Sequence, residues 1–416
     1  MFKVLTVLLF LPSITFGAYN SEIFPWGIIF SLFYLRHINK YILLLIILMG
    51  FSCSLVLAHS FLNGGSIQTD IIRSIAAYMN FILLSQTLLL LGSKNVKIIT
   101  TLSRNIFWVL IILGFIQSIG SETLGTLIQY LIPRGDGSAL SEINRGVTLL
   151  STEPARAGIE LTLIYLIYRI GQQNTFKNVA IDIFLIFYQA LIIKSFSVVV
   201  FSLGAFAILH VNFRFYLFST LATLLVGFFG LYFIINLLPQ FGGRAGDLVI
   251  FLQETEALND AIFYIANESG NRVLGLYSFY LAGINHPFGF GIGSWPYSSI
   301  QAVLESGLDF RDFRFFDVVG NGEIVAFRGA GVISNLMLDL GLIGTILSFY
   351  LFRKMMLSYA EFSELSKKAF WIFLFKIAFF GSPGNPIVFI FFIVVFLTTA
   401  PNNKLINKQK DTISQI

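Results

Sequence analysis

Apolar runs of about 16–24 residues recur along this 416-residue chain, broken by short polar segments, and that pattern predicts membrane-spanning helices. Twelve spans follow, at residues 3–18, 22–37, 40–58, 70–92, 102–119, 156–170, 177–192, 195–210, 214–237, 331–352, 367–380 and 386–400. The first also reads as a signal peptide, because Lys3 precedes an apolar stretch ending in Gly17 and Ala18; the other spans are unaffected by that choice. Two long polar stretches interrupt the pattern, at 120–156 and 239–329. The longer one carries elements of its own: an apolar run at 248–265 behind Asp247, a candidate helix cap, and a second candidate helix from Ser298 to Glu305. Short amphipathic helices of this kind lie on a membrane surface or cover a cavity. Residues 401–416 read as a polar cytoplasmic tail.

Charge supplies the orientation. With both termini cytoplasmic, the inner segments are the termini plus 36–41, 93–104, 169–177, 211–214 and 353–368, and they hold sixteen cations. The outer side holds ten, mostly in the two long loops, which weigh little in the positive-inside rule. The short outer connections at 19–21 and 381–386 carry none. The expected architecture is a single all-α polytopic membrane domain with two large extracytoplasmic loops. Composition agrees, with 56% hydrophobic residues, 12% charged residues and a mean hydropathy of +0.81. The net charge of +5 is topology bias, since no basic stripe interleaved with aromatics marks a nucleic-acid surface. The lone Cys53 sits in an apolar run and reads as a packing residue.

The two outer loops contain eight arginines and no lysine: Arg134, Arg145, Arg156, Arg244, Arg272, Arg311, Arg314 and Arg328. Lysine dominates at the inner helix ends. Arginine offers a planar fork that grips phosphate through two bonds and stays charged when partly desolvated, so the loops are expected to hold an anionic group. Three constellations stand out. In Arg145 through Glu160, a Glu153-Pro154 step precedes an apolar helix, which places Pro154 in its first turn and Glu153 at the positive end of its dipole. Arg156 then lies at head-group depth, either snorkelling or contacting a lipid phosphate, and Glu160 is expected to face the bundle interior. The second is Asn285-His286-Pro287-Phe288-Gly289-Phe290-Gly291-Ile292-Gly293-Ser294-Trp295, with three glycines at every second position for tight turning. The chain has four histidines, and His286 alone lies within a long outer loop, as a turn residue, a hydrogen-bond donor to substrate or a proton acceptor. The third is Arg311-Asp312-Phe313-Arg314 followed by Arg328 and Asn335. Arg311 and Arg314 either pair with Asp312 and Asp317 or bind substrate. Arg328 mirrors Arg156 before its own span, and the two arginines are suited to converge on one diphosphate. No cluster has metal-ligand spacing, and no cofactor fingerprint appears.

Together these features resemble the oligosaccharide repeat-unit polymerases, the Wzy-type O-antigen polymerases, within the wider group that includes the O-antigen ligases. The resemblance is carried by Thr152-Glu153-Pro154 with Arg145 upstream and Gly158 downstream. It is carried also by His286 through Gly293, similar to the family's "NPL-G-G-G" turn, and by Asp339-Leu340-Gly341-Leu342-Ile343-Gly344, similar to its "E-x-G-x-x-G". Arg272 with Gly283 resembles an arginine–glycine spacing of the large outer loop; in the first loop Arg145 to Gly158 is two residues longer. The resemblance implies a GT-C-like architecture in the bacterial inner membrane. It implies transfer of a growing glycan from undecaprenyl diphosphate to a hydroxyl of the next lipid-linked repeat unit, giving O-antigen or capsule-type polysaccharide, with a flippase and a chain-length regulator as partners. Departure of a lipid diphosphate develops negative charge that arginines stabilise without a metal, and Glu153 or His286 would take the acceptor proton. On this reading Glu153, His286, Arg156 and Arg328 are catalytic, while Arg145, Arg272, Arg244, Arg311, Arg314 and Asn335 bind diphosphate and glycan. Two alternatives remain. Ligases, which transfer the glycan to lipid A core, carry a histidine near the start of the span after the large loop; here Arg328 through Asn335 has none, which favours the polymerase. Transporters and flippases place ionisable residues at the bilayer midplane, whereas here Glu153, Arg156, Glu160, Arg328 and Asp339 gather at the outer edge, with Asp182 and Lys376 as exceptions.

Overall fold

The computed structural model describes residues 2–14, 25–32, 38–62, 69–120, 128, 132, 146–210, 271–381 and 385–399. Among them the regular structure is helical throughout, with no strand. Helices α1 (Phe2–Phe10), α2 (Pro25–Leu32), α3 (Lys40–Leu62) and α4 (Thr69–Ile119) come first. They are followed by α5 (Pro154–Arg169), α6 (Phe176–Tyr188, extended by a π-turn to Ile193) and α7 (Phe196–His210). The second long loop contributes α8 (Asn271–Asn285), α9 (Trp295–Glu305) and α10 (Arg314–Gly320), and the chain closes with α11 (Val332–Tyr359), α12 (Glu364–Phe379) and α13 (Ile387–Thr399).

Among the described residues five segments are long and apolar enough to cross a membrane: Lys40–Ala58, Ile71–Leu90, Asn95–Ile119, Phe176–Ile193 and Val332–Tyr359. The expected polar break at 93–101 is helical instead. Lys94, Val96, Lys97 and Ile98 are all compatible with a helix, so charge marks the boundary between two apolar windows of α4 without ending the helix. The span expected at 214–237, the apolar run at 248–265 and the tail at 401–416 lie outside the described residues.

Helix α5 is the centre of the bundle. It is buried on all sides from Ala157 to Ile167, and α4, α7 and α13 pack around it. Helix α13 is likewise buried from Ile387 to Leu397. A helix apolar around its whole circumference belongs inside a bundle or a membrane. The opposite pattern appears on α3, α4 and α11. Their outer faces expose Leu43, Ile47 and Phe51, then Val109, Ile112 and Ile116, then Ile343, Ile346 and Tyr350. Exposed apolar faces on long helices are what a bilayer covers, and the chain is a membrane-embedded helical protein.

One end of α5 is tied to its neighbours by buried charge. Arg169, 1% exposed, donates from Nε and Nη2 to the Asp182 carboxylate of α6 at 3.0–3.2 Å, and also to Asn174 Oδ1 at 2.9 Å. Tyr165 donates to the same carboxylate, and His210 Nε2 of α7 lies 3.1 Å from it. Asp182, an exception to the outer-edge pattern, is therefore a pairing residue for three helices.

The described part of the second long loop is a folded unit on top of the bundle. Leu274, Phe279, Val303, Phe313, Phe316 and Phe327 form its core together with Leu338 of α11. The helix expected at Ser298–Glu305 exists and begins at Trp295. Helices α8 and α10 were not expected. The buried stripe of α8 is Leu274, Gly275, Ser278, Phe279, Ala282 and Gly283, made mainly of small residues. A methyl at Gly283 would sit 2.7 Å from Met337 O, so these positions allow α8 to lie close against α11 and give a weak hydrophobic period.

Candidate functional site

The glycine turn and α11 form one unit. Gly341 stands inside α11 with φ 67° and ψ −176°, which breaks the helical ladder. The break frees the carbonyls of Leu338 and Asp339 and the amide of Ile343, and buried backbone groups need partners. The turn supplies all three: Phe290 N–H donates to Leu338 O at 2.9 Å, Gly291 N–H to Asp339 O at 2.9 Å, and Pro287 O accepts from Ile343 N–H at 3.0 Å. Ser52 of α3 joins them, donating to Asp339 O at 3.1 Å and accepting from Ile292 N–H at 3.0 Å. The two motifs that carry most of the resemblance are therefore in direct contact.

Arg328 stands over this junction. Its guanidinium lies 5.2 Å from the Trp295 ring and donates to Ser74 Oγ at 2.6 Å. Beneath it the Asp339 side chain, 6% exposed, accepts from Tyr78 Oη at 2.6 Å and feels the Arg328 charge. The turn that presents Arg328 is held by Asn335, whose amide donates to Gly329 O at 2.9 Å and Gly331 O at 2.6 Å. Asn335 was expected to bind substrate; its amide is engaged in shaping this turn.

A second charged cluster lies at the start of α5. Glu153 is the N-cap in extended conformation and Pro154 follows in the first turn, as the sequence predicts. The Glu153 side chain, 58% exposed, makes no cap bond and faces Arg272 Nη2 at 3.4 Å. Arg156 donates to Thr152 Oγ1 at 3.2 Å. Below, Glu160 is 5% exposed, accepts from Asn385 Nδ2 at 2.7 Å, and lies in the field of Arg156 and Lys376. The end of α12 links the two clusters: Lys376 acts on Glu160, while Gly331 N–H donates to Gly381 O at 2.7 Å. Sequence reasoning left Lys376, Asn385, Tyr78, Ser74 and Trp295 out of the site. A lone lysine inside an apolar span and the tryptophan that closes the glycine turn were the available signals.

Other expected site residues stand apart. His286 Nε2 is 2.8 Å from Glu305 Oε2 on the exposed surface, and its ring packs on Phe290. Burial works against ionisation of Glu305, but hydrogen bonds from Gln301 and His286 prevail and hold its carboxyl below the usual carboxylate range. Arg311 is exposed and lies over the Phe310 ring at 5.7 Å; Arg314 is exposed at the start of α10. Arg145 and Arg244 lie outside the described residues. Among the described residues no group of three His, Cys, Asp or Glu side chains is placed to share a metal ion.

The arrangement can stabilise anionic charge at two arginines and can accept a proton at an exposed carboxylate. The chain matches no family model, and neither a curated protein nor a solved structure is similar to it.

Proposed function

We propose that this chain is a repeat-unit polymerase of the O-antigen type, a twelve-span protein of the bacterial inner membrane with both termini cytoplasmic. It would join undecaprenyl-diphosphate-linked oligosaccharides at the outer face. The observation that carries the reading is the contact between the turn at 286–293 and Asp339–Gly344, two motifs distant in sequence that resemble the family's and close beneath Arg328. In the reaction, the bond from the glycan to its carrier diphosphate breaks and a hydroxyl of the incoming repeat unit takes its place. Arg328 and Arg156 stabilise the departing diphosphate. Glu153 accepts the hydroxyl proton; its carboxylate is accessible and Arg272 orients it. His286 is tied to Glu305 and suits glycan contact better than proton transfer.

The test is deletion of the gene in its host, gel analysis of surface glycans, and rescue with wild type, Arg156→Ala or Arg328→Ala. Deletion should leave lipid A core bearing one repeat unit. Either alanine variant, expressed at the wild-type level, should restore under about 1% of the ladder, since loss of one charge-stabilising group costs about 10²–10³ in rate. Bare core with accumulated carrier-linked chains would assign a ligase instead. An unchanged glycan profile would overturn both and favour a transporter.

A further inference from the structure

Lys376 is the most deeply buried cation of the outer clusters. It lies in the last turn of α12 with 1% exposure, and its ammonium has no hydrogen-bond partner among the described residues. A buried ammonium with no partner is a costly arrangement that persists where something else balances it. The backbone closes over it at Gly381, where φ is +85° and an added methyl would come within 2.2 Å of Nζ. Glycine is suited to both demands, the left-handed backbone and the missing side chain.

The nearest acid does not complete the balance. Among the described residues Glu160 is the one carboxylate acting on Lys376, and it forms no ion pair with it within 4.0 Å. Glu160 already accepts from Asn385 and answers to Arg156 as well. Two cations therefore act on Glu160 inside the bundle, and the Lys376 ammonium is left without a hydrogen-bond partner among the described residues. Arg156 is half-buried next to the exposed Glu153, so the cluster opens toward the loop surface. Phe373 and Ile377, flanking Lys376, line a small apolar cavity of about 30 Å³ with Val332, Leu336 and Phe389.

We propose that Lys376 and Arg156 form an anion site for a phosphate- or diphosphate-bearing group, with Glu160 and Asn385 as its fixed floor. The site rests on the polymerase reading only for the source of the group, which is a lipid-linked diphosphate in one case and a free phosphate species in the other. Lys376 holds the anion as a point charge and Arg156 as a fork.

The experiment uses the full-length protein in phosphatidylcholine nanodiscs and measures binding of inorganic pyrophosphate and of farnesyl diphosphate by calorimetry, with the thermal midpoint as a second readout. Wild type should bind and gain thermal stability. Lys376→Gln should bind at least tenfold more weakly, Lys376→Arg should keep most of the affinity, and Lys367→Gln, at an exposed residue paired with Glu364, should match wild type. If Lys376→Gln does not fold, Gly381→Ala carries the test, because its methyl would displace the ammonium and weaken binding with the lysine still present. Tighter binding of the prenyl compound would assign the lipid-linked source, and equal binding the free one. Wild type binding neither probe, or Lys376→Gln or Gly381→Ala binding as wild type does, would overturn the site. Lysine-dependent binding together with an unchanged glycan profile on gene deletion would keep the site and discard the polymerase; absent binding with a lost ladder would do the reverse.

Discussion

Replacing Gly341 with alanine would drive a methyl group into the turn that docks on α11. The added Cβ would stand 2.3 Å from Pro287 O and 2.4 Å from Gly289 N, both backbone atoms that cannot rotate away. The backbone conformation, φ 67° and ψ −176°, is one that L side chains rarely adopt, and holding alanine there costs about 1–3 kcal/mol. Relief of the clash requires the turn to lift, which breaks the bonds from Phe290 to Leu338, from Gly291 to Asp339 and from Ile343 to Pro287. Each is worth about 1 kcal/mol net, so full detachment adds roughly 3 kcal/mol and the total reaches about 4–6 kcal/mol. Gly50→Ala is the control, in helical backbone with nothing within 4 Å of the new Cβ, and it should change stability by no more than about 1 kcal/mol. Denaturant unfolding of the purified protein in detergent measures both variants, and hydrogen exchange reports the amides of Phe290, Gly291 and Ile343. If Gly341→Ala unfolds within about 1 kcal/mol of wild type and those amides stay protected, the docking of the turn on the kink is wrong.

Two further perturbations test the electrostatics. Asp182→Asn leaves Arg169 buried without its counter-charge and should cost about 3–5 kcal/mol of stability, most of it recovered in Arg169→Leu/Asp182→Leu; a single variant as stable as wild type would show that the network does not hold α5, α6 and α7 together. Glu305, whose carboxyl is held below its usual range, contributes stability that is complete above the unfolded-state value of about 4.3 and is lost as pH falls through the lower folded value. The thermal midpoint of wild type minus that of Glu305→Gln should therefore be constant near neutrality and shrink on acidification below about pH 4.3, and a difference that grows instead would reverse the sign of the interaction.

How far the sequence reached can be judged residue by residue. Long apolar runs declared themselves because burial in lipid requires uninterrupted hydrophobicity, and the Glu153-Pro154 step located the first turn of α5 because proline fits there and almost nowhere else in a helix. Helix α8 stayed hidden because it packs through Gly275, Ser278, Ala282 and Gly283, residues that permit close approach but carry no hydrophobic signal. The three alternating glycines announced a tight turn; what the turn served was invisible, because its partner is a broken helix some fifty residues away and only Gly341 hints at the break. Charge followed the same rule. Each buried acid was legible as an anomaly in an apolar segment, yet its meaning lay in which cation the fold brought beside it: Asp182 meets Arg169 at one end of α5, and Glu160 meets Arg156 and Lys376 at the other. The first group closes on itself through hydrogen bonds at every side. The second leaves an ammonium unanswered, and that difference argues that one end of α5 is built for stability and the other to receive an anion.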